Sequence, residues 1–203
     1  VLCDQLERPG KLTSDQAYLI GLFHDCGVPV LMQHIKGYGR DTRIMNPTND
    51  VLEQRIAAIE GGVAALSLGS GQAASAFAIQ NICKAGDNFV ASTDLYGGTW
   101  NLFANTLKDM GIECRFVDPS DPQNFARATD DKTRAYYAET LPNPKLEVFP
   151  IKEVADIGRP LGIPLIMDNT AAPVICKPLA HGAAIVMYST TKYITGNGTS
   201  IGG

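Results

Sequence analysis

Residues 133–170 read TRAYYAETLPNPKLEVFPIKEVADIGRPLGIPLIMDNT, in which two apolar runs flank a segment with helical spacing. We predict a strand at Thr133–Glu139, a helix at Ile151–Leu161 and a second strand at Ile163–Met167. Neither apolar run alternates with polar residues, which is typical of strands that are covered on both faces. The segment is therefore predicted to form a strand–helix–strand unit with parallel strands.

The same alternation continues on both sides of this unit. It predicts an α/β fold with a mainly parallel sheet and helices on both faces. Residues 1–40 fit the pattern poorly and are predicted to be an N-terminal helical or loop segment, followed by one large domain at 41–203. The further predicted strands are Val63–Leu68, Asn88–Ala91, Glu113–Val117 and Ala184–Tyr188. The further predicted helices begin at Thr13 or Ser14, at Asn49, at Gln72 and at Thr99.

The composition and net charge of the chain indicate which classes of binding partner to expect. The chain has 203 residues, 45% of them hydrophobic, and a formal net charge of −4. Because it has no basic stripe, nucleic acid and anionic membranes are not expected as main partners. The N-terminus lacks the features of a signal peptide. Five scattered cysteines and three histidines form no metal-binding motif, so we expect a cytoplasmic protein without a metal site.

Several polar residues follow the predicted strands, where parallel sheets bind their ligands. Gly71 and Gln72 begin a predicted helix, whose free N–H groups and dipole favour an anion. Ser189 and Thr191 add two hydroxyl donors after a later strand. Together these four residues suit a phosphate group. Neither a Walker-type motif nor a dinucleotide fingerprint is present, so nucleotide binding is not favoured.

A carboxylate and a lysine follow two further strands. Asp168 follows Ile163–Met167, and Lys192 follows Ala184–Tyr188. Beside a phosphate site, this pair matches what pyridoxal 5'-phosphate (PLP) requires: an amine that forms a Schiff base and an acid that keeps the pyridine nitrogen protonated. Tyr96 could stack on the ring. The alternative is that Asp168 caps a turn and Lys192 is a solvated loop residue.

At these residues the chain resembles the Cys/Met-metabolism group of PLP-dependent enzymes, which has the type I fold. The resemblance implies two catalytic residues: Lys192 as the Schiff-base lysine and proton shuttle, and Tyr96, which stacks on the ring and assists proton transfer. It implies further that Asp168 pairs with the pyridine nitrogen. It also places Asn143 near the ring hydroxyl and Arg43 at the phosphate of a neighbouring subunit in a dimer-based homo-oligomer. The matching segments are TRIMNPTNDVLEQRIAAIEGG (42–62), SGQAA (70–74), LYGGTWNLF (95–103), ETLPNPKL (139–146), IPLIMDNT (163–170) and STTKYITGNGTSIGG (189–203).

The resemblance also implies a reaction. YGGTWNLF is most similar to the sulfhydrylases that act on O-acetyl-L-homoserine, in which sulfide replaces acetate at Cγ and gives homocysteine. A cystathionine lyase or synthase is an alternative within the family. A catalytically silent fold that serves in binding or oligomerisation is an alternative of another class. The family's C-terminal domain, which supplies the arginine for the substrate carboxylate, is expected to be absent from this chain.

Overall fold

The computed structural model describes residues 47–203, with side chains from Asn49 onward. The chain divides into two compact units, the first ending at Ser67 and the second spanning Leu68–Gly203. Three predictions lie outside the described residues: the helix after Ser14, the domain boundary near residue 40 and the role of Arg43. These three remain predictions.

The described part of the first unit contains one helix, α1, at Pro47–Glu60. It confirms the predicted helix, which ends at Gly61 with a positive φ of 73° and a hydrogen bond from the Gly62 N–H to the Ala57 carbonyl (2.9 Å). Asn49 lies inside this helix and does not cap it.

The predicted strand at Val63–Leu68 is wrong, because the structure has no strand there. A strand needs a row of backbone partners. Here the Ser67 N–H donates instead to the Glu53 side chain at 2.7 Å. Leu68, the first residue of the second unit, exchanges two hydrogen bonds with Gly203, at 2.9 and 3.0 Å. One such pair does not extend into a ladder.

The second unit contains a sheet of five parallel strands in the order β2-β1-β3-β4-β5. This confirms the other five predicted strands, with small shifts at their ends. The chain runs outward from β1 to β2 and returns to the other side of β1 for β3. The topological switch point, where such folds bind ligands, is therefore between β1 and β3. The strands are β1 Asn88–Ser92, β2 Glu113–Val117, β3 Thr133–Glu139, β4 Leu165–Asp168 and β5 Ile185–Met187.

Helices connect these strands. The predicted cap at Thr99 is wrong by three residues, because the Tyr96 carbonyl already accepts the Trp100 N–H (2.9 Å) and the helix starts at Gly97. The helices are α2 Gly71–Ile82, α3 Gly97–Asn101 with a π-helical continuation Leu102–Thr106 and a final turn Leu107–Asp109, α4 Gln123–Ala128 and α5 Ile151–Gly158; 3₁₀ turns lie at Arg159–Leu161 and Pro178–His181.

The core lies on both faces of the sheet, as predicted. Alternate residues of β3 point to opposite faces. Tyr136 packs edge-on against Phe125 (ring centroids 5.4 Å apart) beneath α4 and α5. Tyr137 packs edge-on against Phe103 (4.7 Å) beneath α2 and α3. The sheet is thus covered on both sides, and ligands can reach the carboxyl ends of its strands. Within residues 47–203, no helix combines the length and apolar character needed to cross a membrane.

Candidate active site

Two carboxyl groups end neighbouring strands. Glu139 is the last residue of β3, Asp168 is the last residue of β4, and the two are register partners. Asp168 Oδ1 accepts the Thr170 N–H at 2.9 Å, so Asp168 also organises the turn after β4. Burial raises the pKa of Asp168, although the Thr170 hydrogen bonds oppose the shift. The end of the sheet therefore presents a largely desolvated acid.

The predicted phosphate residues come from two elements that touch. Ser189 donates its N–H to Thr170 Oγ1 at 2.7 Å, which ties the loop after β5 to the turn after β4. A Cβ added to Gly71 would lie 2.7 Å from Ser189 Cβ and 2.9 Å from Ser189 Cα. Only glycine allows this approach without displacement. The N-terminus of α2 and the loop after β5 thus form one surface.

The N-terminus of α2 has the geometry of an anion site. Ser70 caps the helix, with its Oγ accepting the Ala73 N–H at 3.1 Å. The N–H groups of Gly71 and Gln72, in the first turn, have no partner within the helix because of helical geometry. The helix has 12 residues, and its dipole adds a partial positive charge at this end.

Tyr96 lies on the other side of Gln72. The Gln72 amide donates to Thr99 Oγ1 at 3.4 Å. A Cβ added to Gly98 would lie 2.5 Å from Tyr96 Cε1 and 3.2 Å from Gln72 Nε2, so Gly98 leaves room for both side chains. The tyrosine is 54% exposed, so part of its ring is open to solvent.

Sequence reasoning missed Glu139 as a site residue. Its Oε1 accepts the Tyr96 N–H at 2.5 Å. The backbone N–H of Asn143 also interacts with the carboxyl group and lowers its pKa, although less than the Tyr96 N–H does. Burial, and then the neighbouring Asp168, raise the pKa of Glu139 to about 7. The available signal was a single acid at the end of an otherwise buried strand. Thr170, which joins Asp168 to Ser189, was also missed.

These residues follow one another in a closed ring, which we call the ring of contacts. Asp168 and Glu139 are paired in the sheet, Glu139 accepts the Tyr96 N–H, and Tyr96 and Gln72 both border Gly98. Gly71, Ser189 and Thr170 then lead back to Asp168. The structure thus brings together Tyr96, Gly71, Gln72, Asn143, Asp168 and Ser189, which the sequence could group only by topology.

The remaining predicted residues lie after Ser189 or outside the description. The Thr191 hydroxyl is engaged with Gly202, accepting its N–H (3.0 Å) and facing its carbonyl (3.3 Å). Lys192 donates its backbone N–H to the Ser189 carbonyl at 3.2 Å, which places its Cα in the turn next to the ring of contacts, and the residue is exposed. Arg43 is outside the described residues. Among residues 47–203, no group of three or more metal-ligating side chains is suited to a metal ion.

We expect the stability of the chain to fall as the pH rises, because of Glu139. Its pKa is about 7 in the folded state against 4.5 ordinarily, so between these values the folded state binds more protons than the unfolded state. The contribution of Glu139 to the free energy of unfolding is fully present below pH 4.5 and is lost as the pH rises to about 7. The loss is on the order of 3 kcal/mol. Asp168 adds a change of the same sign.

Urea unfolding at about pH 5 and about pH 8 would measure this dependence. Glu139→Gln, which cannot titrate, should show a smaller loss of stability between the two pH values. Glu147→Gln is the control, because Glu147 is an exposed acid of the following loop. An equal pH dependence in the unaltered chain and in Glu139→Gln would contradict the raised pKa.

Comparison with known proteins places this chain in a family. The model of the Cys/Met metabolism PLP-dependent enzymes matches residues 29–203. An O-acetyl-L-homoserine sulfhydrylase of Leptospira meyeri is 56% identical over 163 residues, covering 80% of this chain and 37% of the relative. A homocysteine/cysteine synthase of Saccharomyces cerevisiae is 48% identical over 164 residues, also 80% of this chain and 37% of the relative.

Comparison with solved structures points to the same family. A solved structure from Campylobacter jejuni, which holds an N'-pyridoxyl-lysine-5'-monophosphate, matches with a TM-score of 0.77 and 38% identity. The match covers 79% of this chain and 40% of that one. The chain therefore spans well under half the length of the relatives it matches. With a family model that matches most of its length and relatives of this identity, the chain belongs to the Cys/Met metabolism family of PLP-dependent enzymes.

Proposed function

We propose that this chain binds PLP in the ring of contacts and forms the cofactor-binding part of an O-acetylhomoserine sulfhydrylase. The observation that carries the proposal is that Thr170 and Ser189 join the acid Asp168 to the glycine surface at Gly71. The acid for the ring nitrogen and the donors for the phosphate, at Gly71 and Ser189, are thus joined by one continuous set of contacts. We call these phosphate donors the phosphate cradle. The ring nitrogen and the phosphate are the two ends of PLP that a protein must hold.

The described residues fit this cofactor. The N–H groups of Gly71 and Gln72 and the hydroxyl of Ser189 would hold the phosphate. The Thr191 hydroxyl could join them once released from Gly202. Asp168 would keep the proton on the pyridine nitrogen, and Tyr96 would stack on the ring. Asn143 would lie near the ring hydroxyl, with Arg43 reaching the phosphate of a neighbouring subunit in a dimer-based homo-oligomer.

When bound, PLP supplies an electron sink that stabilises negative charge at the carbon next to the substrate amine. The chain's own groups do the rest. The Lys192 amine would hold the cofactor at its aldehyde. The same Nζ, when unprotonated and free, would take the proton from the substrate Cα. Asp168 would hold the ring nitrogen proton throughout, because an ionised carboxylate beside it favours the charged ring.

The proposed reaction is the replacement of acetate by sulfide at Cγ of O-acetyl-L-homoserine, which gives homocysteine. The identity to the Leptospira and Saccharomyces relatives supports it, since both are named for this kind of chemistry. The chain spans 37% of the length of each of these relatives. A cytoplasmic location belongs to the same proposal.

Product analysis tests the reaction. The chain is incubated with PLP, O-acetyl-L-homoserine and sulfide, and homocysteine and acetate are measured. We expect the two products in equal amounts, and neither when PLP is left out. Turnover of cystathionine in the absence of sulfide would favour a lyase or synthase instead. Bound PLP without turnover of either substrate would favour a binding or oligomerisation role.

A further inference from the structure

We propose that Glu139 is a positioning residue, whose carboxyl group holds the loops of Tyr96 and Asn143 in place beside Asp168. The inference rests on the proposed function, because those two loops are the ones placed against the cofactor ring. Glu139 itself is not proposed to touch the cofactor or the substrate. It acts by fixing the backbone from which the two contacting side chains project.

The geometry carries the proposal. Glu139 ends β3, and Tyr96 lies in the loop after β1, so their hydrogen bond of 2.5 Å spans the topological switch point of the sheet. A second, weaker interaction of the carboxyl group, with the Asn143 N–H, reaches the loop that leaves β3. Tyr96 is also the residue before α3, whose first turn closes on its carbonyl. One carboxyl group thus sets the start of α3 and the path of the Asn143 loop together.

A carboxyl group at this position is costly for the fold. Glu139 is 7% exposed and lies next to a second acid, so burial and the repulsion from Asp168 both disfavour its charge. A well-packed apolar residue at the end of a buried strand would avoid this cost. What the acid provides is a pair of acceptor oxygens for two backbone N–H groups, which an apolar side chain cannot offer. Costly ionisable groups of this kind are concentrated at functional sites.

The charges around Glu139 are mostly acidic. It lines a pocket of about 260 Å³ at the mouth of β1 and β3. Asp168 faces it from β4, and three further acids line the pocket. Lys145 pairs with one of these, Asp94, at 2.8 Å. The three pocket acids are Asp94, Glu147 and Glu153.

The first test measures the two amides without any cofactor. Hydrogen exchange of the backbone amides of Tyr96 and Asn143 is measured in the PLP-free Glu139→Met variant. Methionine keeps the length of the side chain but removes the acceptor oxygens. We expect both amides to exchange about tenfold faster or more, while the amides of β3 stay protected. Glu139→Gln keeps one acceptor oxygen and should rescue part of the protection. Glu147→Gln, in the same pocket, should change neither amide.

The second test measures PLP itself. The dissociation constant of PLP should rise about tenfold in Glu139→Met and largely recover in Glu139→Gln. The visible circular dichroism of the bound cofactor, which reports how the ring is held, should change in Glu139→Met only. If Glu139→Met does not fold, Glu139→Asp replaces it, since a side chain shorter by one methylene cannot reach both N–H groups.

The outcomes separate the two proposals. Unchanged exchange at both amides in Glu139→Met would overturn the positioning role. Faster exchange with unchanged PLP affinity and an unchanged cofactor spectrum would also overturn it. Failure of the unaltered chain to bind PLP would instead overturn the proposed function, and the exchange rates would still decide whether Glu139 holds the two loops.

Discussion

Replacing Lys192 with Ala is expected to abolish covalent capture of PLP. The unaltered chain should turn yellow with PLP, and borohydride should then fix the cofactor to the protein, because reduction makes the link between an amine and an aldehyde permanent. In Lys192→Ala the amine is absent. The visible absorption of the linked form and the mass of the fixed cofactor should both be lost. The proposed turnover of O-acetyl-L-homoserine should be lost with them. Mass spectrometry after proteolysis would locate the attachment.

The matched control is Lys177→Ala. Lys177 is also an exposed loop lysine of the second unit, but it precedes the 3₁₀ turn at Pro178–His181, away from the loop after β5. We expect it to keep both absorption and attachment. The Lys192→Ala chain should fold as the unaltered chain does, since Lys192 is exposed. Attachment that persists in Lys192→Ala would contradict the assignment of this lysine and with it the proposed mechanism.

The sheet was predictable because its strands are short apolar runs between clear turn signals. Residues 113–117 and 133–139 have the predicted bounds. The exception, Val63–Leu68, has the same apolar composition. Composition records whether a segment suits burial, but a strand also needs a partner with free backbone groups, and that partner is not local in sequence. Of this run, Leu68 pairs with Gly203, 135 residues later, which no local pattern could indicate.

The site was predictable to the extent that parallel strands place their ends together. Gly71, Asp168 and Ser189 were grouped by that rule, and the structure joins them through measured contacts. Glu139 was not found, because an acid at a strand end is most often a solvated residue. Its function depends on two backbone N–H groups in other loops, and a sequence does not show where such groups point.

Replacing Gly71 with Ala is expected to weaken both the fold and the cofactor site. The new Cβ would lie 2.7 Å from Ser189 Cβ and 2.9 Å from Ser189 Cα, well inside van der Waals contact, so α2 and the loop after β5 must separate. Overpacking of this kind costs about 1–3 kcal/mol. At a solvent-exposed position inside a helix, with no such contact, alanine would instead stabilise the helix relative to glycine by about 1 kcal/mol. PLP affinity should fall about tenfold or more, because the two halves of the phosphate cradle move apart.

Gly69→Ala is the control for this substitution. Gly69 lies two residues earlier in the same turn, has no positive φ, and a Cβ there would meet no atom within 4 Å. We expect its free energy of unfolding to change by less than about 0.5 kcal/mol and its PLP affinity to be unchanged. Urea unfolding and PLP titration of both variants would measure the difference.

A second substitution shows whether the contact with Ser189 is the cause. Ser189→Gly removes the nearest of the two clashing atoms, so Gly71→Ala combined with Ser189→Gly should be more stable than the sum of the single changes predicts. The coupling should be at least about 0.5 kcal/mol for residues in direct contact. If the two changes are additive, or if Gly71→Ala is as stable as Gly69→Ala, the two elements do not meet at Gly71. The cradle would then lack the contact that joins the N-terminus of α2 to the loop that carries Lys192.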